Sequence, residues 1–182
     1  MTFLFASYET TAASLTFCLY LLAKFPEYQQ KIRAELSQTS SIQTVSVYRE
    51  ALRLYPPAYM LARELVDNIT IDNRLLKKKE NVIVSVYGIH RHTAIWSKPD
   101  EFIPERFTTQ YDIKANKFAF IPFGYGKRVC SGMQLAMIEA ELVLKKLLTH
   151  FHFTQIEEKE LNLEAMVTLH PKESLRLKIK AI

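Results

Sequence analysis

Residues 3 to 25, FLFASYETTAASLTFCLYLLAKF, constrain the fold more than any other stretch, because a helix-length run leaves almost no polar face for water. Glu9 is its only charge before Lys24, and Pro26 halts it. A helix apolar on nearly every side has to be enclosed by protein or lipid. Lipid is the poorer answer: Glu9, three threonines and two serines interrupt the run, and neither a basic leader nor a small-residue cleavage site accompanies it. The segment is therefore expected to be a buried helix of a soluble protein, and the chain has few other elements with which to bury it.

Those elements are an amphipathic helix near residues 27 to 37, with Tyr28, Ile32 and Leu36 on one stripe, a helix from about 44 to 54, and a long one from about 131 to 151. NITID, NVIVSVYGIH, HFHFTQI and LRLKIKAI read as strands. SQTSSIQT, residues 37 to 44, reads as a loop. The fold class is mainly α with a minor β part, and 48% hydrophobic with 24% charged residues fits one globular domain. Two cysteines exclude a disulfide framework, and clustered zinc ligands are lacking. The net charge of +5 points to an acidic partner, but no aromatic-interleaved basic stripe suggests nucleic acid.

FGYGKRVCSG, residues 123 to 132, concentrates three glycines, two cations and a cysteine. Gly124 and Gly126 allow a tight turn and close approach to a flat ligand, Phe123 offers an apolar wall, and a helix is expected to begin right after Cys130. A thiol there, beside Lys127 and Arg128, suits a thiolate metal ligand. A phosphate loop would need its Lys followed by Ser or Thr after a different glycine spacing. A cysteine hydrolase would need a partner histidine that spacing alone does not locate, and a buried cysteine in a glycine turn is the plain structural alternative.

This decapeptide resembles the FGxGxRxCxG signature of the cytochrome P450 family of haem-thiolate monooxygenases, and three further segments follow the family's order. The resemblance implies that Cys130 is the axial ligand of haem b, that Arg128 and Arg63 (in YMLARELVD) pair with its propionates, and that Phe123, Gly124, Gly126 and Ala6 line it. EALRLYPP resembles the ExxR helix and PDEFIPERF the PERF segment, which implies a buried structural network of Glu50, Arg53 and Arg106. YGIHRHTAIW matches the stretch between them. FASYETT resembles the distal-helix motif, which implies a catalytic proton relay through Glu9 and Thr10; the alternative for Thr10 is a hydrogen bond to a carbonyl one turn earlier.

The resemblance covers residues 1 to 182 as one partial domain, running from the distal helix to the C-terminus, with the family's N-terminal half expected to be absent. It implies oxidation of a small apolar organic substrate by dioxygen, with electrons from an acidic ferredoxin, flavodoxin or flavoprotein reductase. Substrate would meet Ala6, residues 58 to 61 and the Leu169 to His170 turn. The alternative is a haem-binding or structural remnant without turnover. A cytoplasmic location is expected, or membrane association through an N-terminal anchor outside this chain. Two departures stand out: Ser7 replaces the usual glycine of the distal motif, and Lys77 and Lys79 occupy a turn where the family usually has Pro and Gly.

Overall fold

The computed structural model describes residues 2–37, 41–108 and 117–182. The long apolar run forms α1, Thr2–Lys24. It ends where Pro26 cannot donate; Phe25 breaks the line, and Pro26 starts α2, Pro26–Ala34, in the first turn, where a helix makes no use of its N–H groups. Helix α3, Ile42–Leu54, is capped by Ser41, whose hydroxyl accepts the Thr44 N–H at 3.1 Å. The expected loop over 37 to 44 is therefore too long: its last three residues are helical, and 38–40 lie outside the described residues.

The β part consists of antiparallel pairs. Strand β1 (Met60–Glu64) pairs with β4 (Asn81–Ser85). Between them β2 (Ile69–Ile71) and β3 (Arg74–Leu76) form a hairpin, turned by Asp72 and Asn73 at φ +47° and +62°. The expected strand over 81 to 90 is corrected, because Ser85 accepts the Gly88 N–H at 3.0 Å and starts a short helix, α4 (Val86–Ile89). Helix α5 runs Met133–His150, starting two residues later than expected. Then β5 (Phe151–Gln155) pairs with β8 (Leu177–Ala181), enclosing the hairpin β6 (Leu163–Ala165) and β7 (Leu169–Pro171). Strands β1, β3, β6 and β7 had no clear pattern of alternation to announce them.

The core forms where α1, α2, α3 and α5 meet. Cys18 and Leu22, Ile32, Val47, and Ala140, Leu144 and Leu148 are fully buried there. Gln29 ties this core to the sheet: its amide donates to the carbonyls of Leu22 (2.7 Å) and Phe153 (2.8 Å) and accepts the Phe153 N–H (3.0 Å). The chain thus covers the C-terminal half of α1 with its own helices, contrary to the expectation that too few elements exist to do so. What stays open is the N-terminal half, where Tyr8 is 77% exposed, and the outer face of α5, where Leu135, Ile138 and Leu142 are exposed.

Candidate functional site

Glu50 and Arg53 lie three apart on α3, so one turn of helix puts both on the same face. Both are 0% exposed and they form a forked pair, Nε to Oε2 and Nη2 to Oε1, each 2.7 Å. Arg106, in the 3-10 turn Pro104–Phe107, donates Nε to the same Glu50 Oε1 at 3.3 Å, as does the Ile103 N–H at 2.9 Å. The remaining guanidinium donors meet backbone carbonyls and one hydroxyl: Arg53 reaches the carbonyls of His90 (2.8 Å), Pro99 (2.6 Å) and Glu101 (3.0 Å), and Arg106 reaches the Lys98 carbonyl (2.9 Å) and the Ser97 hydroxyl (3.4 Å). Trp96 covers Arg53 at 5.1 Å. Two buried cations around one carboxylate are tolerable only because these oxygens satisfy their donors.

His90, a residue that the motif reading passed over, carries this network to the cysteine loop. It is fully buried, with Nδ1 at 3.2 Å from the Arg53 carbonyl and Nε2 accepting the Ile121 N–H at 3.0 Å. These partners require the neutral ring with its proton on Nδ1. Burial pushes its pKa down to about 3, with the nearby cations adding to the effect. Phe120 stacks on its ring at 5.3 Å. Its place at the end of the apolar run VIVSVYGI was the one sign of burial in the sequence.

From Ile121 the path continues: its carbonyl accepts the Gly124 N–H at 3.0 Å, and the Phe123 carbonyl accepts the Cys130 N–H at 2.9 Å. Gly124 and Gly126 both adopt φ +75°, which side chains disfavour, so the turn requires glycine at both positions. Cys130 is exposed at the end of this turn. Cys18 is the opposite case, since burial pushes its thiol far up and locks it in the core. A side chain at Gly124 would lie 3.8 Å from Leu61, so β1 runs against the loop. Strand alternation puts Arg63 on the same face of β1 as Leu61. Arg63 and Arg128 are both exposed.

A third group gathers on α1. Ala6 is exposed, and its carbonyl accepts the Thr10 hydroxyl at 2.6 Å, the back-bond that was the alternative for this threonine. Glu9 Oε1 accepts the hydroxyl of Thr168 at 2.7 Å. The β6–β7 hairpin is also held to the segment after α3: Leu169 N–H donates to the Pro57 carbonyl (2.9 Å) and the Tyr59 hydroxyl to that of Met166 (2.8 Å). These bonds hold the hairpin against Glu9 of α1 and against Pro57 and Tyr59. The turn expected at Leu169 and His170 is corrected: both residues belong to strand β7, and the turn falls at 166–168. A cleft of about 350 Å³ between residues 155–161 and 173–177 shares none of these residues.

Among the described residues no group of three or more His, Cys, Asp or Glu could hold a metal ion, so iron held by Cys130 would have to bring its other ligands with it. A porphyrin does that, and one accessible thiol on a glycine turn, with the exposed Arg128 two residues before it, fits such a group. Among the described residues no helix is long and apolar enough to cross a membrane.

Fold and loop together define a mainly helical chain that presents one cysteine from a turn braced by a buried carboxylate and two arginines. The chain belongs to the cytochrome P450 family, whose model matches residues 1–179. It is 34% identical to cytochrome P450 3A12 of Canis lupus familiaris over 98% of this chain and 38% of that protein. It is 33% identical to cytochrome P450 3A2 of Rattus norvegicus (97% and 38%) and 34% identical to cytochrome P450 3A6 of Oryctolagus cuniculus (97% and 38%). The chain thus spans little more than a third of the length of these curated relatives.

Proposed function

We propose that this chain is the haem-binding part of a haem-thiolate monooxygenase that oxidises a small apolar organic substrate. The observation that carries the reading is Cys130, an exposed thiol on a left-handed glycine turn joined by hydrogen bonds to the buried Glu50–Arg53–Arg106 network. Cys130 would hold the iron of haem b, Phe123, Gly124, Gly126 and Ala6 would line the macrocycle, and Arg63 and Arg128 would pair with its propionates. Haem, when bound, supplies the reductive activation of dioxygen.

The protein's own share is positioning and proton control. Glu50, Arg53, Arg106 and His90 hold the cysteine loop in register. Glu9 and Thr10 act as the proton relay: Thr10 Oγ1, its hydroxyl donating to the Ala6 carbonyl, still has lone pairs to accept a proton or orient water, and the Glu9 carboxylate takes up protons and passes them on. Electrons come from an acidic redox protein, which the net charge of +5 favours. The exposed Met166 and Val167 beside residues 58 to 61 suit an apolar substrate.

The test is the Soret band of the reduced, carbon-monoxide-bound protein in its complete context. The strong red shift of thiolate ligation is expected for the parent and for Cys18→Ser, and its loss for Cys130→Ser. A red-shifted band that survives in Cys130→Ser overturns the assignment.

A further inference from the structure

The hydrogen bond between Glu9 and Thr168 joins residues 159 positions apart, and no motif contains Thr168. Thr168 is only 6% exposed and sits in the turn between β6 and β7, where its carbonyl also accepts the Met166 N–H at 3.2 Å. Its neighbours Met166 and Val167 are 60% and 79% exposed, so the turn buries its one hydroxyl and leaves its apolar side chains outside. That inverts ordinary hydropathy, and the Glu9 carboxylate accounts for it: a carboxylate only accepts, so the hydroxyl must donate. The turn cannot swing freely on this bond, because Leu169 and Met166 anchor it to Pro57 and Tyr59.

The other carboxylate oxygen, Glu9 Oε2, is shielded from solvent and has no hydrogen-bond partner among the described residues. A buried acceptor left unpaired is costly, and it persists where a water, a proton or a reacting group completes it. One oxygen of Glu9 is therefore fixed and the other held ready. Thr10, the next residue, donates its hydroxyl to the Ala6 carbonyl instead.

We infer that Thr168 is a positioning residue for the proton relay: its hydroxyl fixes the Glu9 carboxylate so that Oε2 is the oxygen that takes and gives protons. The inference rests on the relay role proposed for Glu9. It also links that role to the hairpin that meets substrate, so displacing the turn at Met166 and Val167 would release the carboxylate and slow proton delivery.

The test compares Thr168→Val, which keeps the shape and removes the donor, with Thr168→Ser, which keeps the donor, and with Glu9→Gln. One readout is independent of turnover: the infrared carboxylate stretch of Glu9, isolated by subtracting the Glu9→Gln spectrum, recorded on the full chain. It is expected to shift in Thr168→Val and to stay in place in Thr168→Ser. Thr168→Ala provides the same comparison should the valine variant not fold. The second readout, in the holoenzyme, is the fraction of reductant diverted to hydrogen peroxide and the solvent isotope effect on turnover. Removing the acid–base group altogether is expected to slow proton delivery about 100-fold or more, and loosening it roughly tenfold, with Thr168→Ser restoring the parent values. An unshifted band in Thr168→Val, or parent-like peroxide yield there while Glu9→Gln is impaired, overturns the inference and leaves the relay standing. Parent-like turnover in Glu9→Gln overturns the relay itself and the inference with it.

Discussion

His90 makes the stability of the brace behind Cys130 depend on pH. Its folded-state pKa of about 3 lies well below the ordinary 6.5, because burial strips an imidazolium of its hydration and the Arg53 and Arg91 charges oppose it; protonation would also break the acceptor bond to the Ile121 N–H. Above pH 6.5 the ring is neutral whether folded or unfolded, and the full stability is present. As pH falls below 6.5, the unfolded chain takes up a proton that the folded chain refuses, and stability is lost progressively toward pH 3. At 1.36 kcal/mol per pH unit the loss is about 3 kcal/mol by pH 4, with a ceiling of about 5 kcal/mol. Set against a typical domain stability of roughly 5 to 15 kcal/mol, that is a large share. The assay is urea unfolding of the chain between pH 7 and pH 4, followed by the fluorescence of Trp96, the one tryptophan, which is buried beside Arg53. His90→Gln is the reference, since an amide both donates and accepts but does not titrate. The stability gap between parent and His90→Gln should narrow by about 3 kcal/mol from pH 7 to pH 4. Parallel pH profiles for the two proteins would refute the reasoning.

Arg53→Lys should cost about 3 to 5 kcal/mol in the same unfolding measurement, because an ammonium cannot reproduce the fork to Glu50 and the three carbonyl bonds at once. Thr10→Ala should keep bound haem and reductant consumption in the holoenzyme while raising the hydrogen peroxide formed per product; unchanged coupling would assign Thr10 to helix structure through its Ala6 bond. Lys79→Gly should raise stability by about 0.5 to 1 kcal/mol, or roughly 2 °C in Tm, because Lys79 holds φ +72° at a turn that a glycine enters without strain.

Much of the site was legible because its parts are local. Glu50 and Arg53 meet through one turn of helix, Gly124 and Gly126 mark where the backbone must turn left-handed, and Pro26 marks a break that any helix would suffer. Such features depend on covalent geometry and on neighbours within a few residues, so the amino-acid order determined them by itself, along with the mainly α class. His90 and Thr168 could not be read in that way. A histidine in an apolar run and a threonine in a hairpin turn have many possible partners. Only the assembled chain decided that one accepts the Ile121 N–H and the other donates to Glu9. The same holds for the enclosure of α1: its hydropathy demanded cover, but which helices supply it, and which half stays open, depends on how α2, α3 and α5 pack. The physical reason is that periodicity tells which face of an element must be buried and carries no label for the partner. The partner is chosen by shape, by the reach of side chains and by the need to satisfy every buried donor and acceptor, and those are set only when distant segments come together.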